Sequence, residues 1–313
     1  MRLLFMGTPL FAVPTLKALL SSHHTVSAVF TQPDKPSGRG EKLAAPPVKL
    51  IALEQGIPVH QPEKLKTLEG QSVFGELKVD AYVVVAYGKI LPQWLLDLPR
   101  LGAYNVHASL LPKYRGAAPI HWAIANGETM TGITTMKLDA GMDTGDLLLQ
   151  HEIPIKPEDT CASIHDRLAE IGAELMLKTL DGLEKGTAKP LPQDPALATY
   201  APMLKKSDGL LDWSQSAVSL HNRIRAFNPW PGTYTLLQGQ TLRLWKAQPA
   251  EVSGESLPPG SLLHHSSGAA VVACGIGFLR LEEVQLENRK RTPALDFLHG
   301  IRLGRTQTIL LGR

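Results

Sequence analysis

Ala81-Tyr-Val-Val-Val-Ala-Tyr-Gly88 is the stretch on which the fold turns. Its three consecutive valines favour an extended strand, because β-branched side chains pack well on a pleated surface. A strand with one wet face would alternate apolar and polar residues. This one does not, so it is expected to be covered on both faces, as in a parallel sheet. Outward from it the same pattern recurs. Leu3–Met6 is an apolar run ending at Gly7-Thr-Pro9 and followed by Phe11–Leu20 with helical spacing. Val26–Thr31 and Pro58–His60 read as strands, as do Gly102–Val106, Ile133–Leu138 and Leu147–Ile153. The helix Pro119–Ala125 separates two of these, and Thr160 can cap a long amphipathic helix running to about Lys185. Strands alternating with helices predict an α/β fold, a Rossmann-like, doubly wound and mostly parallel sheet.

The texture changes near Gly186. Lys189-Pro-Leu-Pro-Gln-Asp-Pro195 carries three prolines and reads as a stiff, extended linker. Beyond it come Leu210–Trp213, a helix at Ser219–Ala226, and short β runs at Thr233–Leu237, Thr241–Ala247, Ser261–Leu263, Ala269–Ala273 and Phe278–Val284. Gly, Pro and Ser divide these runs, which predicts a small C-terminal β-barrel of the OB-like kind. At 313 residues two domains are expected, at 1–188 and 208–313, joined by a linker at 189–207. Pro33–Pro47, with Gly38-Arg-Gly40, is the one long loop of the first domain, and loops of that length are usually functional or disordered.

Composition narrows the class. With 43% hydrophobic and 19% charged residues this is an ordinary globular chain, and a net charge of +3 does not by itself argue for nucleic acid. The distribution says more: from Tyr200 onward there are 13 Lys and Arg against 8 Asp and Glu, so the C-terminal third is the basic part. Cys161 and Cys274 form no CxxC pair and no zinc-ligand pattern, and read as inert thiols. The apolar start Met1-Arg-Leu-Leu-Phe-Met is too short for a signal peptide, and no stretch reaches the length of a membrane span. A cytoplasmic protein without a membrane partner is expected. No self-complementary apolar element stands out, so a monomer is expected too.

The candidate chemistry sits in Tyr104-Asn-Val-His107 and Asp139-Ala-Gly-Met-Asp-Thr-Gly145. Asn105 and His107 are two apart on one strand and share a face. Asp143 follows the next strand, so all three fall at C-terminal strand ends, the usual ligand edge of an open α/β sheet. An amide, an imidazole and a carboxylate suit acyl transfer to an amine. The first two can hold a developing oxyanion while the carboxylate, through water, manages protons, and no metal is needed. Gly7-Thr-Pro9 stands where a dinucleotide-binding fingerprint would be, but Leu10-Phe11 occupy the places of the later glycines. That argues against a dehydrogenase. The Tyr87-Gly88 turn reads equally as a plain strand-to-helix junction or as a wall for a flat heteroaromatic ring. His23-His24 and His264-His265 are expected in solvated surface turns.

Tyr104–Pro119 resembles the active-site segment of the 10-formyltetrahydrofolate-dependent formyltransferases. The resemblance extends over nearly the whole chain to the branch that formylates initiator methionyl-tRNA. It is carried by Phe5-Met-Gly-Thr-Pro9, Thr31-Gln-Pro-Asp-Lys-Pro-Ser-Gly-Arg-Gly40, Val83–Gly88, Ser109–Pro119, Leu138–Leu147 and Arg225-Ala-Phe-Asn-Pro-Trp-Pro-Gly232. Leu10 departs from the family, which often has an acidic residue there, and Ala108 from its frequent glycine. The resemblance implies formyl transfer from 10-formyltetrahydrofolate to the α-amino group of methionyl-tRNA, with Asn105, His107 and Asp143 as the catalytic residues. It places the pterin near Tyr87, Gly88, Lys89, Ile90 and Leu91, and lets Ser109, Leu110, Leu111 and Pro112 line the folate pocket. Gly38, Arg39 and Gly40 are implied contacts to the tRNA acceptor stem. Lys205, Lys206, Arg223, Arg243 and Arg289–Arg291 are further tRNA candidates by charge. A small-amine formyltransferase or a formyltetrahydrofolate hydrolase would share the central motif. A catalytically silent RNA-binding protein would explain the basic C-terminal part but not the polar trio.

Overall fold

The valine run lies at the centre of a seven-stranded sheet. A computed structural model describes residues 1–37, 42–65, 74–252, 257–266, 268–304 and 307–312. The chain divides into two units, one of Met1–Pro119, Met130–Ile153 and His165–Ala201, the other of Ile120–Thr129, Pro154–Ile164 and Pro202–Arg313. The first unit's strands are β1 (Arg2–Gly7), β2 (Thr25–Phe30), β3 (Val59–His60), β4 (Ala81–Val85), β5 (Ala103–His107), β6 (Met130–Lys137) and β7 (Leu147–Pro154). Their order across the sheet is β7-β6-β5-β4-β1-β2-β3. β1 pairs in parallel with β2 and β4, β4 with β5, and β2 with β3; β6 runs antiparallel to β5. The order therefore reverses between β1 and β4, the switch point at which open α/β sheets bind ligands.

Burial follows the expected logic. Leu3, Phe5, Val83 and Val85 are as inaccessible as Leu4, Met6, Tyr82 and Val84 on the opposite face. Both faces of these strands are covered, which is why their sequences do not alternate. Thr160 caps α1 (Cys161–Glu184) as expected, its hydroxyl oxygen accepting from Ser163 N at 3.3 Å. No helix among the described residues is long and apolar enough to cross a membrane.

The second unit is a curled antiparallel sheet, a half-barrel. Its strands β8 (Thr233–Leu237), β9 (Gln240–Ala250), β10 (Ser261–His264), β11 (Ala270–Ala273), β12 (Phe278–Leu286) and β14 (Thr308–Leu310) follow the order β8-β9-β12-β11-β10-β14, with β13 (Thr292–Pro293) paired to β12. The register of β9 against β12 shifts between Leu244 and Ala247, a bulge that bends the strand. Leu242, Leu244, Leu262, Val272, Leu279 and Leu281 pack on one face with Leu220, Ile224, Phe297 and Leu298. The indole N–H of Trp213 donates to the buried Thr235 hydroxyl at 3.0 Å. Ser216 caps the helix Ala217–Ala226 by accepting from Ser219 N.

Three local expectations change. Part of the Pro33–Pro47 loop is a β-ladder, Lys35–Ser37 antiparallel to Lys42–Ala44, so extended backbone pairs there despite the prolines. The stretch read as a linker is tied into the first unit. Leu147 and Leu191 exchange backbone hydrogen bonds, and Tyr200–Ala201 pairs in parallel with Arg115–Gly116. His24 and His264 are buried rather than solvated. The His24 ring lies between the Met1 ammonium, 3.2 Å from Nδ1, and Asp181, 3.5 Å from Nε2. His23 and Met1 both meet Glu184, at 2.9 and 3.0 Å. His23, His24, Asp181 and Glu184 bring their ligand-type atoms within 4.8 Å of one another. The ammonium already faces two of those groups, which makes the cluster an ion-pair network with its own cation.

Candidate active site

His107 closes β5 with its ring almost wholly buried. Its Nε2 lies 3.0 Å from the carbonyl oxygen of Tyr114. A carbonyl only accepts, so Nε2 carries the proton and Nδ1 is left for the site. Nδ1 faces Asp143 Oδ2 at 3.7 Å, longer than a direct hydrogen bond. The other claim on Asp143 Oδ2 comes from the Gly116 N–H at 2.8 Å. Imidazole and carboxylate thus meet, although 35 intervening residues separate them in the sequence. Asn105, partly exposed, lies two residues earlier on the same face of β5.

Two loops hold this arrangement, and each is built by its own sequence. In 139–145 the Asp139 carboxylate accepts from Gly141 N and from the Thr144 hydroxyl, at 3.0 and 2.7 Å. This folds the chain so that Asp143 takes a left-handed backbone with φ 54°. Gly145 completes the turn pressed against β6: a Cβ there would lie 1.8 Å from the Lys137 carbonyl oxygen, so only glycine fits. In 109–116 the Thr134 hydroxyl on β6 donates to Ser109 O at 2.6 Å and accepts from Leu111 N and from Gln150 Nε2, at 3.2 and 3.0 Å. That is the full hydrogen-bonding capacity of a hydroxyl. The Ser109 hydroxyl itself donates to Lys113 O at 2.6 Å. Ala86, Tyr114 and Asp143, non-glycine residues with φ of 47°, 61° and 54°, sit in the three loops at this edge of the sheet. Backbone held in a sparsely populated region is a mark of functional sites.

A family model described as formyl transferase matches residues 1–180, and one described as formyl transferase, C-terminal domain, matches residues 203–302. The chain belongs to the formyl transferase family. Among similar formyl transferases, the methionyl-tRNA formyltransferase of Geobacter metallireducens is 54% identical over 301 residues, covering 96% of either chain. That of Acetivibrio thermocellus is 48% identical over 309 residues, covering 99% of either. The crystal structure of an N-formyltransferase from Helicobacter canadensis in complex with folinic acid and dTDP-3-aminofucose superposes with a TM-score of 0.68. It is 20% identical and covers 93% of this chain and 99% of that one, a likeness of fold.

Within this formyl transferase the other predicted residues divide clearly. The Tyr87 side chain points into the core, where burial pushes its hydroxyl up to about 12 and leaves it without a hydrogen-bond partner. Its carbonyl oxygen accepts from the Thr8 hydroxyl and from Gln32 Nε2, at 3.1 and 3.0 Å, which fills both lone pairs. Leu91 is also core. The Lys89 ammonium donates to the carbonyls of Pro62 and Glu63, and burial lowers its pKa. Gly88 and Ile90 are what the turn leaves accessible. Ile90 is 80% exposed, and among the described residues no backbone hydrogen bond takes up their N–H or C=O groups. Of 109–112, Ser109 and Leu111 are buried, while Leu110 and Pro112 are partly exposed.

Gly38, Arg39 and Gly40 lie outside the described residues. Lys205 and Lys206 are exposed. The Arg223 guanidinium is half-buried, donates to Asp208 O at 2.6 Å and lies 5.0 Å over the Phe227 ring. Sequence reasoning missed Thr134, Gln150, Arg115 and Gln193. A lone threonine or glutamine carries no local signal, and these act only through contacts distant in sequence.

Proposed function

We propose that this chain moves the formyl group of 10-formyltetrahydrofolate onto the α-amino group of methionine carried by initiator tRNA. The observation that carries the chemistry is the buried His107, fixed by Tyr114 O on one nitrogen and facing Asp143 with the other. Relatives named methionyl-tRNA formyltransferase, about half identical across both units, support the acceptor.

Formyl transfer forms one carbon–nitrogen bond, breaks another, and carries one proton from the incoming amine to the departing nitrogen. Charge builds on the formyl oxygen between these events, and preorganised donors stabilise it. Asn105 offers its amide N–H. His107 can act as the second donor only through Nδ1–H, because Nε2–H is spent on Tyr114 O. Nδ1 lies 3.7 Å from the Asp143 carboxylate. Asp143, through water in the gap beside Nδ1, relays the proton from the amine. The backbone groups of Gly88 and Ile90, which take no backbone hydrogen bond among the described residues, suit the polar edge of a flat ring, and Leu110 with Pro112 offers it an apolar wall. In this reading the Gly38–Gly40 segment and the exposed Lys205 and Lys206 meet tRNA.

The test is a single assay. Purified protein is given the formyl donor with either initiator methionyl-tRNA or small amines, and the products are weighed by mass spectrometry. Formyl on methionyl-tRNA is the expected result. Transfer only to small amines, or release of free formate, would replace this reading with the small-amine or hydrolase alternative.

A further inference from the structure

Gln193 lies in the proline-rich stretch that reads from sequence as a linker, yet its side chain reaches the candidate active site. Nε2 donates to the carbonyl oxygens of Asp143 and Gly145, at 2.9 and 2.7 Å. Oε1 accepts from Arg115 Nε and Nη2, at 3.1 and 2.7 Å. One planar amide therefore bridges the two loops between which His107 is held. On one side is Asp143, whose backbone sits in the left-handed region with φ 54°. On the other is the Tyr114–Gly116 segment, which presents Tyr114 O to His107 Nε2 and the Gly116 N–H to Asp143 Oδ2.

Both loops need such a tie. Left-handed backbone in a residue with a side chain persists only where its surroundings over-determine it. Asp139 shapes the start of the 139–145 turn through Gly141 and Thr144, but the Asp143 carbonyl itself is held by Gln193. Arg115 is 5% exposed, and the side chain it meets is the neutral Gln193 amide. A carboxylate there would have paired its charge better. The amide is what can accept from a guanidinium and donate to two carbonyls at once. The local fold supports the same reading: Arg115 N and Tyr114 N are bound by Thr199, in the same returning segment as Gln193.

We propose that Gln193, braced by Arg115, is a positioning residue that sets the separation of His107 and Asp143. The proposal rests on the formyl-transfer reading of that pair. Two substitutions separate its two functions. Gln193→Ala removes both contacts. Gln193→Glu keeps the acceptor toward Arg115 and sets a carboxylate against the two carbonyls it should donate to.

The experiment measures kcat and KM for donor and methionyl-tRNA across pH, with circular dichroism to confirm folding. In parallel, the His107 ring nitrogens are followed by NMR. For both variants kcat should fall about 10- to 100-fold, the scale of a sub-ångström to ångström misplacement, with KM values within about threefold. The pH profile of kcat should be displaced. The His107 nitrogen signals should shift, because the ring loses its fixed partners. A folded Gln193→Ala enzyme with wild-type kcat, or with its whole loss in KM, would overturn the proposal. So would Gln193→Glu at wild-type rate, which would confine Gln193 to neutral support of Arg115. The NMR arm does not depend on activity. If the wild-type protein formylates nothing, the functional reading fails while the ring signals still decide whether Gln193 positions His107.

Discussion

Around His107, the side chains of Ser109, Arg115 and Thr134 are buried and hydrogen-bonded, whereas the cations of the C-terminal unit stand mostly in solvent. Thr134 is wholly inaccessible with its hydroxyl saturated, and Arg115 and His107 are nearly so. In the second unit Lys205, Lys206, Arg243, Lys246, Arg280 and Arg289–Arg291 are exposed. Among the described residues Lys246 and Arg280 find their ion-pair partner in the neighbouring Glu282 carboxylate, at 2.9 and 3.1 Å, and Arg291 meets Glu283. The difference separates two uses of polarity. A buried, over-determined group has one geometry, so its loss is felt in a rate. An exposed cation adds to a summed field that salt screens, so its loss is felt as a small change in affinity.

Removing one proposed oxyanion donor should give the largest effect. Asn105→Ala is expected to lower kcat by about 10²–10³, as for loss of one oxyanion donor, with folding intact. A near-normal kcat in a folded variant would place the charge-stabilising group elsewhere and dissolve the contrast. The next effect belongs to the second unit. If Lys205 and Lys206 touch phosphates, changing both to Ala should lower the slope of log affinity for tRNA against log salt by about 2, roughly one per lysine, with catalysis at saturating tRNA unchanged. An unaltered slope would remove them from the interface.

The smallest effect tests whether burial, rather than the unit, makes the difference. Glu184 is a solvent-facing carboxylate of the first unit. Hydrogen bonds from His23 and then from the Met1 ammonium hold its pKa at about 2, below the ordinary 4.5. A depressed carboxylate contributes stability that is complete above its unfolded value and is lost as pH falls through its folded value. The difference in denaturation midpoint between wild type and Glu184→Gln should therefore be constant above about pH 4.5 and shrink toward zero near pH 2. A difference that persists undiminished at pH 2 would show that packing, not charge, is what Glu184 provides.

Part of the candidate site's geometry was legible beforehand. Asn105 and His107 share a face because side chains alternate along a strand, and the parallel sheet was announced by β4, whose residues need no polar face. The fixed spacing in Asp139-Ala-Gly-Met-Asp-Thr-Gly145 also announced a turn. It did not announce that Asp139 would fold that turn while Asp143 points at the imidazole. At the Tyr87-Gly88 turn the sequence left a plain junction and a wall for a flat ring equally open; only the tertiary structure shows that the Tyr87 ring fills the core. His24 was misread because a histidine pair next to serines resembles a surface turn, and nothing local reveals the carboxylates of α1 beside it.

The sequence by itself determined the element types, the parallel central strands, the face shared by Asn105 and His107, and the kinship with formyl transferases. These follow from short-range periodicity and from motifs read within a few residues. The tertiary structure alone decided which nitrogen of His107 faces the site, how near Asp143 comes, and that a proline-rich stretch returns Gln193 to bridge the Asp143 loop and Arg115. Those depend on hydrogen bonds between segments far apart along the chain, and a donor's partner across such a distance leaves no periodic trace in a single sequence.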